Sequence, residues 1–417
     1  MIQRIVLKMR KKMSRLNFIN RTPMDYRLLM VIMLLNLFGL IMIYSASYYY
    51  CSRSSALGYN PSYFLFNQGK YVFLGIILMI GISFIDYHQW RKFAWPAYIG
   101  GVILIFLLKV PALAVEVNGA VRWLKFGPIQ FQAAEPVKLA MILFFAHYIA
   151  KNKVVHPRNL WSAFALAGLV SALVFLISDN LSTAAIIFGM CCLLIFISHP
   201  KTAPFALVVA VGSVLAVAFI YFGVYLQPAS SGTGGFRMER IRAWLFPDEY
   251  ATTKAFQPLQ AMYAIGAGGF FGKGLGQSLQ KFKIPEPHND FILAIIAEEL
   301  GIFGVILLVF LFGYMLYRIY LIAQNAVDIF GKLIAAGVFS QIALQVILNI
   351  AVVSNSIPTT GVTLPFISAG GASVLFLLAE LGIVFSVDKV SKEKVLVAQV
   401  QKEMEKQKKK RIHSDYI

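Results

Sequence analysis

The sequence predicts an all-α polytopic membrane protein of about ten transmembrane helices, with both termini cytoplasmic and a large extracytoplasmic loop between helices seven and eight. Three observations carry that expectation. The 417 residues are 59% hydrophobic and only 14% charged, whereas soluble globular chains carry roughly a quarter charged residues. Apolar runs of about 20 residues, the length that crosses a hydrocarbon core, recur from "LLMVIMLLNLFGLIMIYSAS" to "VLFLLAELGIVFSV". They are too long for barrel strands. Lys and Arg gather beside these runs, and the two densest clusters, "RIVLKMRKKMSR" and "KEKVLVAQVQKEMEKQKKKR", fall inside when the first loop is outside.

In chain order, helices are expected at 26–47, 70–86, 93–109, 134–150, 160–178, 181–198, 203–225, 291–318, 332–354 and 366–387. A basic cytoplasmic segment, 1–24, precedes the first. That helix is expected to remain in the mature chain, because its apolar run is longer than a typical signal-peptide core, although Ser45-Ala46-Ser47 looks superficially like a cleavage site. The membrane domain spans 25–387, with a large external loop at 226–290, and a basic cytoplasmic tail follows at 388–417. The net charge of +19 reads as topology anchoring and contact with anionic lipid, not nucleic acid, because of where the basic residues sit. Cys51, Cys191 and Cys192 form no C-x-x-C pair, so neither a metal framework nor a disulfide framework is expected. No repeat period and no inverted duplication is visible, which favours one membrane domain over a solenoid or a duplicated transporter.

Most connections are short. The exceptions are external, at about 110–133 and 226–290, and loops of that length usually serve a purpose. The second holds "SSGTGG", the basic-aromatic "FRMERIRAWLFPDEY", and then "FQPLQAMYAIGAGGFFGKGLGQSLQKF". Apolar residues interleaved with glycines in that last piece predict an amphipathic or re-entrant segment at the outer leaflet. "GAGGFFGKGLG" lacks the Gly-Lys-Ser/Thr ending of a phosphate-binding P-loop and follows no strand, so it is not read as one.

Ionisable groups in or beside membrane spans are costly, so each needs a reason. Glu135 and Lys138 open the fourth helix at i,i+3 spacing, suited either to an ion pair that seats the helix end or to an anionic head group. Asp179 and Asn180 read as turn and capping residues. Asp290 starts the eighth helix on the same external face. It is either an N-cap, with Asn289 in competition, or a functional carboxylate; Leu293 stands where a capping box needs Glu or Gln. Below it, Ala294, Ala297, Gly301 and Gly304 form a stripe of small residues that lets another element approach. Glu298 and Glu299 lie roughly 12 Å deeper, about 80° and about 180° round from Asp290, so one of them is expected to be buried between helices. His288 either orients Asp290 or sits solvated. Arg122, Lys125, Arg237, Arg240, Arg242, Lys273, Lys281 and Lys283 are the external cations from which a pyrophosphate site can be drawn. These features fit a substrate with a membrane-held tail and an anionic head outside, handled by an enzyme or by a transporter that flips it.

The stretches "YSAS" (44–47), "NGAVRWLKFGPIQFQAAEPVKLA" (118–140), "IGAGGFFGKGLGQSLQKFKIPEPHNDFILAIIAEELG" (265–301) and "PTTGVTLPFISAGGASVLFLLAELG" (358–382) resemble the SEDS family, the FtsW, RodA and SpoVE proteins of bacterial cell-wall synthesis. The resemblance covers nearly the whole chain in order, and Thr363 before Leu-Pro-Phe places it nearer FtsW and SpoVE. It implies a multi-pass protein of the bacterial cytoplasmic membrane, at the division septum, that polymerises lipid II as a peptidoglycan glycosyltransferase. The implied partners are a class B penicillin-binding protein transpeptidase and other divisome membrane proteins. Asp290 falls on the family's catalytic acid, Arg122 and Trp123 on its "GxxRW" motif, and Glu135 and Lys138 on its acid and lysine. His288, Arg240, Arg242 and Lys273 join these as substrate-binding candidates. The chain departs from the family pattern at Ala133-Ala134, at Asn289 and at Ser178-Asp179-Asn180. The implied chemistry has Asp290 take the proton of the acceptor GlcNAc 4-hydroxyl while undecaprenyl pyrophosphate leaves the donor MurNAc. Lys138, oriented by Glu135, the loop arginines or a divalent cation are candidates to neutralise the leaving group; no metal ligands are assigned. A lipid II flippase with Glu298 or Glu299 lining a passage, and a divisome scaffold, are the rival readings.

Overall fold

The computed structural model describes residues 24–117, 120–127, 129–152, 156–221, 224 and 236–414. The basic segment before Met24, "SSGTGG" and the Asn118-Gly119 start of one motif lie outside them, as does the side chain of Arg237. Each expected apolar run forms a helix. They are α1 (Tyr26–Arg53), α2 (Tyr63–Ser83), α3 (Ala94–Leu107), α4 (Ala134–Asn152), α5 (Pro157–Ser178), α6 (Leu181–Ser198) and α7 (Ala203–Tyr221). Two short helices follow, α8 (Phe236–Leu245) and α9 (Phe256–Gly268), then α10 (Ile292–Asn325), α11 (Ile329–Val353) and α12 (Ala372–Ser414). Six of these, α1, α2, α5, α6, α10 and α11, are long and apolar enough to cross a bilayer, so the chain is a multi-pass membrane protein.

Local chemistry sets the helix ends. Asp25, Asn180 and Asp328 accept backbone N–H groups at the starts of α1, α6 and α11, and Pro157 occupies the first turn of α5. At one end of the bundle, Asp25 pairs with Arg318 and Asp328 accepts from the Tyr87 hydroxyl at 2.6 Å. The opposite end carries Arg53, Asp179 and Asp290.

Two segments differ from expectation. The segment at 110–133, expected as an external loop, holds a three-stranded antiparallel sheet, β1 (Ala114–Val117), β2 (Ala120–Phe126) and β3 (Ile129–Gln132). Leu124 on β2 is fully buried against Leu108, Ala133 and Ile177, so a helix end supplies the apolar surface that four-residue strands cannot supply for themselves. The last helix begins at Ala372 rather than 366 and runs unbroken through Ser414, well into the basic tail.

The glycine-rich segment is inserted into a break in α10. At Gly301 that helix breaks, with φ 68° and ψ −170°. In a continuous helix, Ile302 and Phe303 would donate to the carbonyls of Glu298 and Glu299. Here Ile302 N donates to Gly269 O (3.0 Å) and Phe303 N to Phe270 O (3.1 Å). The abandoned carbonyls of Glu298 and Glu299 accept from Lys273 N and Gly274 N, both at 2.9 Å. Four helix groups lose their partners and four loop groups replace them, which a bilayer demands because no water is present to do so. The approach is close enough that a Cβ on Gly301 would lie 2.3 Å from Phe270 O, and one on Gly272 2.2 Å from Glu299 O.

Both glutamates are buried, not just one. The Glu298 carboxylate accepts from Lys273 Nζ at 2.7 Å, from Ser278 Oγ, and from the backbone of Leu279 and Gln280, both at 3.1 Å. Glu299 accepts from Ser45 Oγ at 2.7 Å and from Lys281 Nζ at 3.3 Å. Helical spacing separates the two side chains by angle, but one loop wraps far enough to meet both.

Candidate active site

Lys283 to Phe291 form the loop that enters α10. The helix starts at Ile292 with Phe291 at its cap position and no side-chain cap, so neither Asp290 nor Asn289 is an N-cap. Asn289 instead donates to the Glu286 carboxylate at 2.8 Å. Asp290 is thereby left free of helix duty. Its backbone is fixed from α11, where Asn349 Nδ2 donates to Asp290 O (2.9 Å) and Val362 O (2.7 Å). Ala369 N to His288 O and Ser368 Oγ to Asn289 O, each 2.9 Å, complete a clip between this loop and residues 358–371.

The Asp290 carboxylate faces Gly361. A Cβ there would lie 3.3 Å from Asp290 Oδ2 and 3.8 Å from Arg122 Nη1, so the missing side chain leaves room between carboxylate and guanidinium. Arg122 reaches this point from β2 and is braced by donating to Ser178 O (3.2 Å) and Asp179 O (2.8 Å). The left-handed turn at Asp179, φ 51°, ends α5 beside it. Arg240 arrives from α8, where its Nη1 donates to Thr359 O at 3.3 Å, and Trp244 Nε1 anchors the same helix to Asn355 O at 2.9 Å. A groove of about 480 Å³ opens here, lined by Asp290, Glu286, Arg240, Lys254, Thr359 and Gly361 among others.

Burial pushes the Asp290 carboxyl up to about 6; Arg240 and Arg122 pull it down, and Glu286 adds to the rise. A carboxylate poised near neutrality, with two guanidiniums facing it, can accept a proton while an anion is held beside it. Burial, followed by the like charge of Arg122, depresses the Arg240 guanidinium below its ordinary value, and Asp290 opposes that shift.

Other candidates lie elsewhere. His288 is buried against the Phe64 ring, with centroids 4.0 Å apart, and burial pushes its imidazole down to about 4. It is a neutral aromatic wedge, neither solvated nor among the charges acting on Asp290. Lys138 and Glu135 pair at 3.0 Å in the interior, beside Glu380, which accepts from Gln341 at 2.8 Å. Lys138 does not figure among the charges acting on Asp290. Trp123 projects from the face of β2 opposite Arg122, and Arg242 sits half-buried two residues beyond Arg240. Lys273 is engaged by Glu298 within the insertion. Among the described residues no three His, Cys, Asp or Glu side chains are grouped to hold a metal ion.

Sequence reasoning passed over Glu286, Lys254, Asn349 and Glu380. Glu380 carried the same signal as Glu298, a carboxylate inside an apolar run, and Asn349 carried a weaker version of it in "ILNIAVV".

Comparison with known proteins agrees with this architecture. The FtsW/RodA/SpoVE family profile, described as "Cell cycle protein", matches residues 26–393. Stage V sporulation protein E of Bacillus subtilis (strain 168) is 35% identical over 377 residues, covering 89% of this chain and 99% of that protein. A probable peptidoglycan glycosyltransferase FtsW of Geobacter metallireducens is 34% identical over 366 residues, covering 87% and 94%. Among solved structures, a chain of a peptidoglycan synthase complex that coordinates polymerization and crosslinking superposes with a TM-score of 0.72 at 24% identity, covering 89% and 99%. Thermus thermophilus RodA superposes with a TM-score of 0.61 at 24% identity, covering 88% and 97%. At those identities the structural likeness speaks for the fold alone. With the family profile spanning nearly all of the membrane domain and two relatives above one-third identity, this chain belongs to the FtsW/RodA/SpoVE family.

Proposed function

We propose that this protein is a peptidoglycan glycosyltransferase that polymerises lipid II, acting in cell division. The observation that carries the reading is Asp290, a helix-entry carboxylate freed from capping that faces Arg122 and Arg240 at an open groove. The names borne by the relatives support the same activity.

In the mechanism, ionised Asp290 takes the proton of the acceptor's GlcNAc 4-hydroxyl as that oxygen bonds to the donor's anomeric carbon. The bond from that carbon to the diphosphate oxygen breaks, and its electron pair leaves with undecaprenyl pyrophosphate. Arg122 and Arg240, already braced by backbone carbonyls, stabilise the departing charge without reorganising. Glu135 and Lys138 act at one remove, as a buried pair that seats the start of α4. A class B penicillin-binding protein is the proposed partner and the division septum the proposed location. Both rest on membership of the FtsW/RodA/SpoVE family, whose profile is described as "Cell cycle protein". The flippase reading is weakened by Glu298 and Glu299, whose partners in the glycine-rich insertion leave them no passage to line.

The deciding experiment supplies lipid II to the purified protein in proteoliposomes, with the transpeptidase added. Glycan polymer is expected; lipid II movement between leaflets with no polymer overturns the proposal. The same assay tests the electrostatics. Arg240→Gln removes a cation that lowers the Asp290 carboxyl, so the acidic limb of kcat/KM moves to higher pH. Glu286→Gln removes a like charge and moves that limb to lower pH. Shifts in one shared direction overturn the assignment of Asp290 as the base.

A further inference from the structure

Transfer between two copies of one lipid-linked disaccharide requires two berths, because donor and acceptor each bring a prenyl tail and a diphosphate. The arginines beside Asp290 account for one. The opposite side of the 283–291 loop has the features of a second.

On the lipid-facing flank of α1 and α2, the tip of the glycine-rich insertion closes a trough of about 470 Å³, lined almost wholly by apolar groups that include Leu37, Ile41, Tyr44, Leu65 and Leu275. Leu37 and Leu275 are each more than half exposed there. Lys281 stands at its edge and also lines a neighbouring shelf of about 310 Å³ that carries Arg53, Lys283 and Tyr49. The shelf reaches Pro285, which in turn lines the groove of Asp290. Three hollows therefore adjoin at two shared lining residues, in the order apolar, basic, catalytic. That is the order of tail, diphosphate and sugar in a lipid-linked glycan.

The charge of the shelf is a net one. Lys281 is neutralised by Glu299, but Arg53, which lies over the Tyr49 ring at 4.6 Å, and exposed Lys283 add positive charge, and among the described residues no carboxylate lines the shelf. An ordinary bilayer lipid can fill an apolar trough. It has no diphosphate to match two cations placed between that trough and a catalytic carboxylate.

We propose that this trough and shelf are the acceptor site. The acceptor's prenyl tail lies along α1 against Leu275, its diphosphate rests on Arg53 and Lys283, and its disaccharide crosses Pro285 to present a hydroxyl to Asp290. The proposal rests on the glycosyltransferase reading.

The test uses the full chain in nanodiscs. A lipid II analogue with a diazirine in its prenyl tail is expected to crosslink to Ile41 and Leu275. Excess undecaprenyl pyrophosphate should suppress those crosslinks, while phosphatidylglycerol should not. In the inactive Asp290→Asn background, radiolabelled undecaprenyl pyrophosphate is expected to bind at two per chain, and Arg53→Glu with Lys283→Glu to reduce that to one. In the active background the same pair should lower kcat/KM at least tenfold, with melting temperature unchanged because both side chains are exposed. Equal suppression by phosphatidylglycerol, or two sites retained in the double variant, overturns the acceptor site while polymerisation by the wild type leaves the proposed activity standing. Absence of polymer from the wild type overturns both. Should the double variant not fold, the crosslinking arm decides alone on the unaltered chain.

Discussion

Asp290→Asn is expected to lower kcat by about 10²- to 10⁴-fold, the usual worth of a positioned general base. Asn keeps the shape of the side chain and leaves the Asn349 clip untouched, because that clip holds the backbone carbonyl. Loss of activity should therefore come without loss of fold. The folded carboxyl titrates at about 6, above its ordinary 3.8, so the folded chain holds its proton more tightly than the unfolded chain. Stability consequently falls as pH rises from roughly 4 to roughly 6, and it stays at the lower level above that window. At pH 7 the amide variant should melt no lower than the wild type while making little polymer. Its residual rate should be flat across pH 5 to 7, where the wild-type rate falls about tenfold per unit below 6. A variant that melts much lower, or one that keeps the acidic limb, would assign the proton to another group.

The second large effect is on the fold. Gly301→Ala asks an L-residue to adopt φ 68°, ψ −170° and places a methyl group 2.3 Å from Phe270 O. Backbone strain costs about 1–3 kcal/mol and forced overlap in a packed site another 1–3 kcal/mol. The expected total is about 2–6 kcal/mol, read as a lowered melting temperature in detergent or nanodiscs. Relaxation by expelling the loop would release Lys273 and Lys281 from Glu298 and Glu299, so protease cleavage between 269 and 283 should rise in step. Wild-type melting and cleavage in the variant would show that the helix can close without the insertion.

How far the sequence was legible depended on the scale of the signal. Membrane helices announce themselves through runs of about 20 apolar residues, and every expected run became a helix. The sheet at 114–132 did not, because its burial is completed by Leu108, at the end of the preceding helix, and by Ile177, far along the chain. Asp290 was legible as a candidate because a carboxylate at a helix start invites the question of capping. That Phe291 holds the cap position instead needed coordinates. Lys273 and His288 were chosen for charge type and proximity in sequence, and neither property reports which way a side chain turns. Lys273 turned toward a buried acid, and His288 toward an aromatic ring.

The exchange of hydrogen bonds at Gly301 also bears on how the chain is made. Residues 269–274 leave the ribosome before the helix whose backbone they complete, so the patch is already synthesised when the broken segment first meets lipid. Were the order of the two reversed, that segment would have to wait in hydrocarbon with four bare peptide groups until its complement arrived.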